Sequence, residues 1–108
     1  ESGLSAEVLR QSQNWPTTGH KGYVVGATYP EELATARRLA PEANFLIPGI
    51  GAQGGDLAMS VAYGPDKIAG PVISASRTIL YASGGDDFAE AARFAASQLR
   101  DKINQLRA

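Results

Sequence analysis

Cysteine is absent from this 108-residue chain, so neither disulfides nor thiolate metal sites can form in it. Histidine occurs once, at His20, which excludes a histidine-rich metal centre. A dominant charge of one sign is also lacking. Ten Lys and Arg face eleven Asp and Glu, for a net charge of −1, leaving no broad field to attract nucleic acid or an anionic membrane. A local anion site remains open, because it needs only a few donors in one place. No apolar run approaches the roughly 20 residues that span a bilayer. Glu1-Ser2-Gly3-Leu4 lacks the basic and apolar regions of a signal peptide. These absences lead to the expectation of a cytoplasmic protein with neither nucleic-acid nor membrane partners. The length fits one small domain or a piece of a larger one.

What the chain has is apolar content and glycine. The hydrophobic fraction of 44% argues for a folded protein. Of twelve glycines, Gly49, Gly51, Gly54 and Gly55 fall within seven positions, directly after an apolar run. That is the pattern of a functional loop leaving a buried strand, since glycine permits positive φ and close approach to a ligand.

Along the chain, Ser5 to Gln13 reads as a short helix with Ser5 as cap and Glu7 in its first turn. Residues 14–20 form a loop by composition, with Trp15 as a packing anchor. Gly22 to Ala27 is continuous and apolar, as in a strand buried on both faces. Thr28 and Glu31 have the spacing of a capping box for a helix running to about Leu39, with Pro30 in its first turn and Pro41 ending it. Asn44 to Pro48 reads as a second strand. The glycine loop Gly49 to Gly55 follows it, and Asp56 caps a short helix to about Val61. Pro71 to Ala75 reads as a third strand, and Ser76 to Ala82 as one or two helical turns. A final helix spans about Asp87 to Leu106, with Phe88, Ala91, Ala95, Leu99, Ile103 and Leu106 at three- and four-residue spacing. Strands alternating with helices imply a parallel sheet in an α/β fold. Three such strands leave two open edges, so the isolated chain should require a partner.

Two segments suit anion binding. The run Pro48-Gly49-Ile50-Gly51-Ala52-Gln53-Gly54-Gly55-Asp56 leads from a strand into a helix and presents backbone N–H groups, with the Gln53 amide as a further donor. It contains the literal Gly-x-Gly-x-x-Gly of dinucleotide sites, but the helix after it is too short for that role. Ser76 and Arg77 open a helical turn with free N–H groups, and Arg77 adds a planar, permanently charged fork. Taken alone, the first would be a flexible connection and the second a solvated surface arginine. As consecutive strand ends they match the phosphate site of (β/α)₈ barrels, built after the last two strands with a short extra helix.

Asn44 to Asp56 resembles the loop after strand seven in the orotidine 5′-phosphate decarboxylase family, with Pro-Gly-x-Gly-Ala-Gln-Gly-Gly as its most specific part. Val72 to Ala82, with Ser-Arg-Thr-Ile-Leu-Tyr-Ala, is similar to the strand-eight segment of one branch of that family, and Val24 to Thr28 resembles strand six. The resemblance implies the C-terminal part, about three βα units, of a (β/α)₈ TIM barrel. It implies decarboxylation of orotidine 5′-phosphate to UMP in pyrimidine biosynthesis, without metal or organic cofactor. Residue by residue, Gln53 would reach the substrate phosphate from a closing loop beside Gly51. Arg77 and Ser76 would hold the same phosphate, and Pro48 would lie near the pyrimidine. The family's catalytic Asp-x-Lys-x-x-Asp run is missing. The lysines present are Lys21, Lys67 and Lys102, and none has that setting. The resemblance therefore implies a single partial unit, residues 1–108, carrying the phosphate-binding loops. The catalytic groups would belong to a preceding N-terminal part of the same barrel, and the complete protein would be a homodimer. Another phosphate-sugar barrel, such as an epimerase or isomerase, or a non-catalytic anion-binding module would share the two loops. His20 would lie at the opposite end of the barrel, and Tyr63 and Tyr81 would serve packing or dimer contacts.

Overall fold

The computed structural model describes residues 3–26, 29–50, 56–65 and 70–107. The elements run α1 (Leu4–Ser12), β1 (Gly22–Val24), α2 (Pro30–Leu39), β2 (Asn44–Ile47), α3 (Leu57–Tyr63), β3 (Val72–Ile73), α4 (Arg77–Leu80) and α5 (Phe88–Arg107). The three strands form one parallel sheet in the order β1-β2-β3. Gly22, Tyr23 and Val24 pair with Asn44, Phe45 and Leu46, while Leu46 and Ile47 pair with Val72 and Ile73. The expected alternation of strands and helices is therefore present. The strands are shorter than expected, though hydrogen bonds from Val25 N to Leu46 O and from Ser74 N to Ile47 O, each 3.0 Å, carry the pairing one step further.

The helix ends differ in detail. Gly3, at φ 108°, occupies the N-cap of α1, so Ser5 is not the cap. At α2 the N-cap is Tyr29, with no side-chain capping bond, and Pro30 opens the helix. Thr28, expected as the cap, lies outside the described residues. Asp56 does cap α3, its carboxylate accepting from Met59 N at 2.9 Å. Such a bond satisfies one orphan donor and contributes about 1 kcal/mol. Pro41 lies just beyond the end of α2, where the chain must leave the helical region.

The core lies on one face of the sheet. Phe45 and Ile47 point into it and are fully buried against Leu33, Ala36 and Ala40 of α2 and its end, with Ala43 and Ile50 beside them. Tyr23 meets Phe45 edge to face, with ring centroids 6.4 Å apart and planes at 83°. The Tyr23 hydroxyl lies 2.7 Å from Ser12 Oγ and accepts from Gln13 Nε2 at 2.7 Å, which ties α1 to β1.

The other face of the sheet is open. Val24 is 72% exposed, Leu46 38% and Val72 51%. The expectation of strands buried on both faces holds for one face only, because the described residues supply helices to one side. α5 packs against α3 and α4. Its half-buried stripe includes Ala91, Ala95, Leu99 and Ile103, but Phe88 and Phe94 remain exposed. Trp15, Tyr63 and Tyr81 are exposed as well, so Trp15 is not the packing anchor expected among the described residues. Exposure in a single chain does not bear on the dimer contact that was the other expectation for Tyr63 and Tyr81. The radius of gyration, 15.6 Å, exceeds the roughly 13 Å of a compact domain of this length.

Candidate phosphate-binding site

The site grows from the ends of β2 and β3. After Ile47 the chain turns through Pro48 and Gly49, and Gly49 adopts φ 89°. A side chain is strained at that angle, so glycine is required where the backbone leaves the strand. Ile50 then tucks back into the core and anchors the start of the loop. On the neighbouring strand, Ser74 is held by its N–H bond to Ile47 O, and Ala75 and Ser76 lead into α4. Because β2 and β3 are parallel neighbours, both exits lie at the same end of the sheet.

Residues 48–50 and 74–77 line one cleft of about 90 Å³. Water's share of liquid volume is about 30 Å³, so the cleft has room for a small anionic group rather than a whole nucleotide. Three of the five expected site residues, Pro48, Ser76 and Arg77, converge there. Gly51 and Gln53 lie outside the described residues. Arg77 is exposed, and its guanidinium has no hydrogen bond or ion pair with any described residue. Among the described residues no carboxylate lines the cleft, so the Arg77 cation is not compensated there by any of them. The N–H groups of Ser76 and Arg77 likewise have no acceptor among the described residues. An arginine fork beside unpaired backbone donors is chemistry suited to a phosphate. Ser74, which was not among the expected site residues, also lines the cleft. Its position two residues before Ser76, in strand phase, was the available signal.

His20 precedes β1 and so lies at the opposite end of the sheet from the cleft. Among the described residues no group of three or more His, Asp or Glu converges as a metal site. No helix among them is long and apolar enough to cross a membrane. A larger groove of about 800 Å³ runs between α1, β1 and α2, lined by apolar side chains such as Leu4, Val8 and Val24. It adjoins the open edge of β1, and no cationic side chain among the described residues lines it.

No protein-family model matches the chain. Curated relatives do. The orotidine 5′-phosphate decarboxylase of Variovorax paradoxus is 50% identical over 101 residues, which is 93% of this chain and 37% of the relative. That of Paracidovorax citrulli is 51% identical over 108 residues, covering 96% of this chain and 38% of the relative. The structure of Leishmania donovani OMP decarboxylase superposes with a TM-score of 0.76 at 34% identity, covering 99% of this chain and 40% of that one. Leishmania donovani UMP synthase gives a TM-score of 0.75 at 38% identity, over 94% of this chain and 22% of that one. The chain thus spans somewhat over a third of the length of the curated relatives it matches. Its three-stranded parallel sheet and helices are part of a TIM barrel. On sequence and structure alike, the chain belongs to the orotidine 5′-phosphate decarboxylase family, as a segment of its barrel.

Proposed function

We propose that this chain supplies the phosphate-binding half of an orotidine 5′-phosphate decarboxylase, which converts orotidine 5′-phosphate to UMP and carbon dioxide. The observation that carries this reading is the convergence of Pro48, Ser76 and Arg77 on one cleft at the ends of adjacent parallel strands. Similarity at about 50% identity to enzymes of that name supports it.

Each residue then has a role that follows from its chemistry. Arg77 and the N–H groups of Ser76 and Arg77 hold the phosphate. Gln53, from the glycine-rich loop that includes Gly51, donates to the same phosphate as the loop closes. Pro48 lies beside the pyrimidine, an apolar neighbour that takes up no hydrogen-bonding edge. None of these groups exchanges a proton with the reacting carbon. Their contribution is binding energy from a non-reacting group, spent on closing the loop and excluding water around the distant centre. The charged residues that act on the carboxylate belong to the N-terminal part of the barrel, which also covers the open sheet face. The same reading includes a cytoplasmic location and a homodimer of the complete barrel.

A chimaera tests it. The present chain replaces the matching 101 residues of the Variovorax paradoxus relative. The expected result is decarboxylation of orotidine 5′-phosphate and binding of UMP. A folded chimaera indifferent to both would overturn the assignment and favour another phosphate-sugar barrel or a plain anion-binding module.

A further inference from the structure

We infer that Ser74 is a further substrate-positioning residue, its hydroxyl hydrogen-bonding the sugar portion of a phosphorylated sugar or nucleotide whose phosphate is held by Arg77. The inference rests on the function proposed above and adds a contact to it. Strand phase sets the direction of its side chain. Phe45, Ile47 and Ile73 face the helices, and the first two are fully buried there. Leu46 and Val72, paired in register, face the open side. Alternation then places Pro48 and Ser74 on that same open side, one layer further toward the strand ends. The bond from Ser74 N to Ile47 O shows that the strand geometry still holds at this point. Both residues line the cleft that Arg77 also lines.

Ser74 is half-buried, and its hydroxyl has no hydrogen-bond partner among the described residues. Its neighbours in phase are apolar: Val72 below it and Pro48 across the register. A lone hydroxyl in that layer offers one donor and two acceptor sites to whatever occupies the open side. Ser74 lies one layer deeper than Ser76 and Arg77, which hold the phosphate. Pro48, beside it, marks the base. A ligand spanning from the Arg77 turn to Pro48 brings its sugar, with hydroxyl and ether oxygens, past Ser74. A hydroxyl suits such neutral groups, while the fork of Arg77 serves the charged one.

The test uses the complete barrel, formed by the chimaera described above, and compares Ser74→Ala with the parent. Loss of one neutral hydrogen bond is expected to weaken ribose 5-phosphate and UMP binding about threefold to tenfold. It should raise KM for orotidine 5′-phosphate by a similar factor with little change in kcat. Inorganic phosphate, which carries no sugar to meet Ser74, should lose much less affinity than ribose 5-phosphate, a pattern that general loosening of the site would not produce. Ser74→Thr, which keeps the hydroxyl, should recover most of the lost affinity. Equal affinity of the parent and Ser74→Ala for ribose 5-phosphate would overturn the inference while leaving the proposed function standing. A folded parent that binds no UMP would remove both.

Discussion

The guanidinium of Arg37 sits over the ring of Phe45, with its central carbon 3.8 Å from the ring centroid. Phe45 is the middle of β2 and is fully buried. From that position the Arg37 fork reaches three carbonyls: Ala40 O at 2.9 Å, Ala43 O at 2.6 Å, and Gly64 O. One cation therefore joins the end of α2, the turn into β2 and the end of α3. These are the segments that set where β2 begins, and so where Pro48 leaves the strand.

Arg37→Ala should cost about 2–4 kcal/mol in the complete barrel, the sum of lost charged hydrogen bonds and a desolvated cation–π contact. Arg37→Lys keeps the charge but not the planar fork, so it should recover less than half of that loss. Urea unfolding of the two variants measures both. Equal stability of Arg37→Ala and the parent would show that solvent satisfies these carbonyls equally well.

Gly64 accepts from Arg37 and has an ordinary φ of −77°, so its need for glycine is spatial. An added Cβ would lie 2.5 Å from Ser60 O, 2.7 Å from Pro71 Cγ and 3.0 Å from Ile47 Cδ1. Backbone of its own helix and two neighbouring elements would have to move together. Gly64→Ala is expected to destabilise by about 1–3 kcal/mol, as overpacking does. Gly26→Ala, where no atom lies within 4 Å of the added carbon, is the matched control and should change stability little.

The elements were legible in the sequence wherever the local signal was strong. The Asp56 cap, Pro30 at the start of α2 and the three-and-four spacing of α5 each depend on near neighbours, and each was found within a residue or two. Arg37 was not legible. It sits in an ordinary basic helix end, and its three carbonyl partners come from two other turns of chain. The strands looked buried on both faces because their composition suits a closed barrel. Among the described residues Val24, Leu46 and Val72 stay partly or largely exposed instead. The cleft was legible through Gly49 and the Ser76-Arg77 pair. Ser74 was missed because a serine between apolar residues gives no signal until strand phase fixes the direction of its side chain.

Arg77 should carry more ligand affinity than any other side chain of the cleft, since hydrogen bonds to charged groups are worth about 1.5–3 kcal/mol. Arg77→Ala in the complete barrel is expected to weaken UMP binding roughly tenfold to a hundredfold, with the loss shrinking as salt rises. Uridine, which has no phosphate, should bind the parent and the variant alike. Calorimetric titration of both ligands gives the comparison, and an equal loss for uridine would point to a collapsed site rather than a lost phosphate contact.

The open sheet face makes opposite predictions for the chain alone and for the completed barrel. Val24, 72% exposed here, would become interior once the remaining strands are present. Burying a valine contributes about 1.5–3 kcal/mol, whereas burying an unpaired carboxylate is strongly unfavourable. Val24→Asp should therefore destabilise the completed barrel by about 3 kcal/mol or more, yet improve the behaviour of the isolated chain. Alone, the parent chain is expected to sediment above its monomer mass, because two strand edges and an apolar face remain unpaired. The Asp variant should shift it toward monomer. A monodisperse parent monomer, or a completed barrel indifferent to Val24→Asp, would mean that the face lies on a surface rather than in an interior.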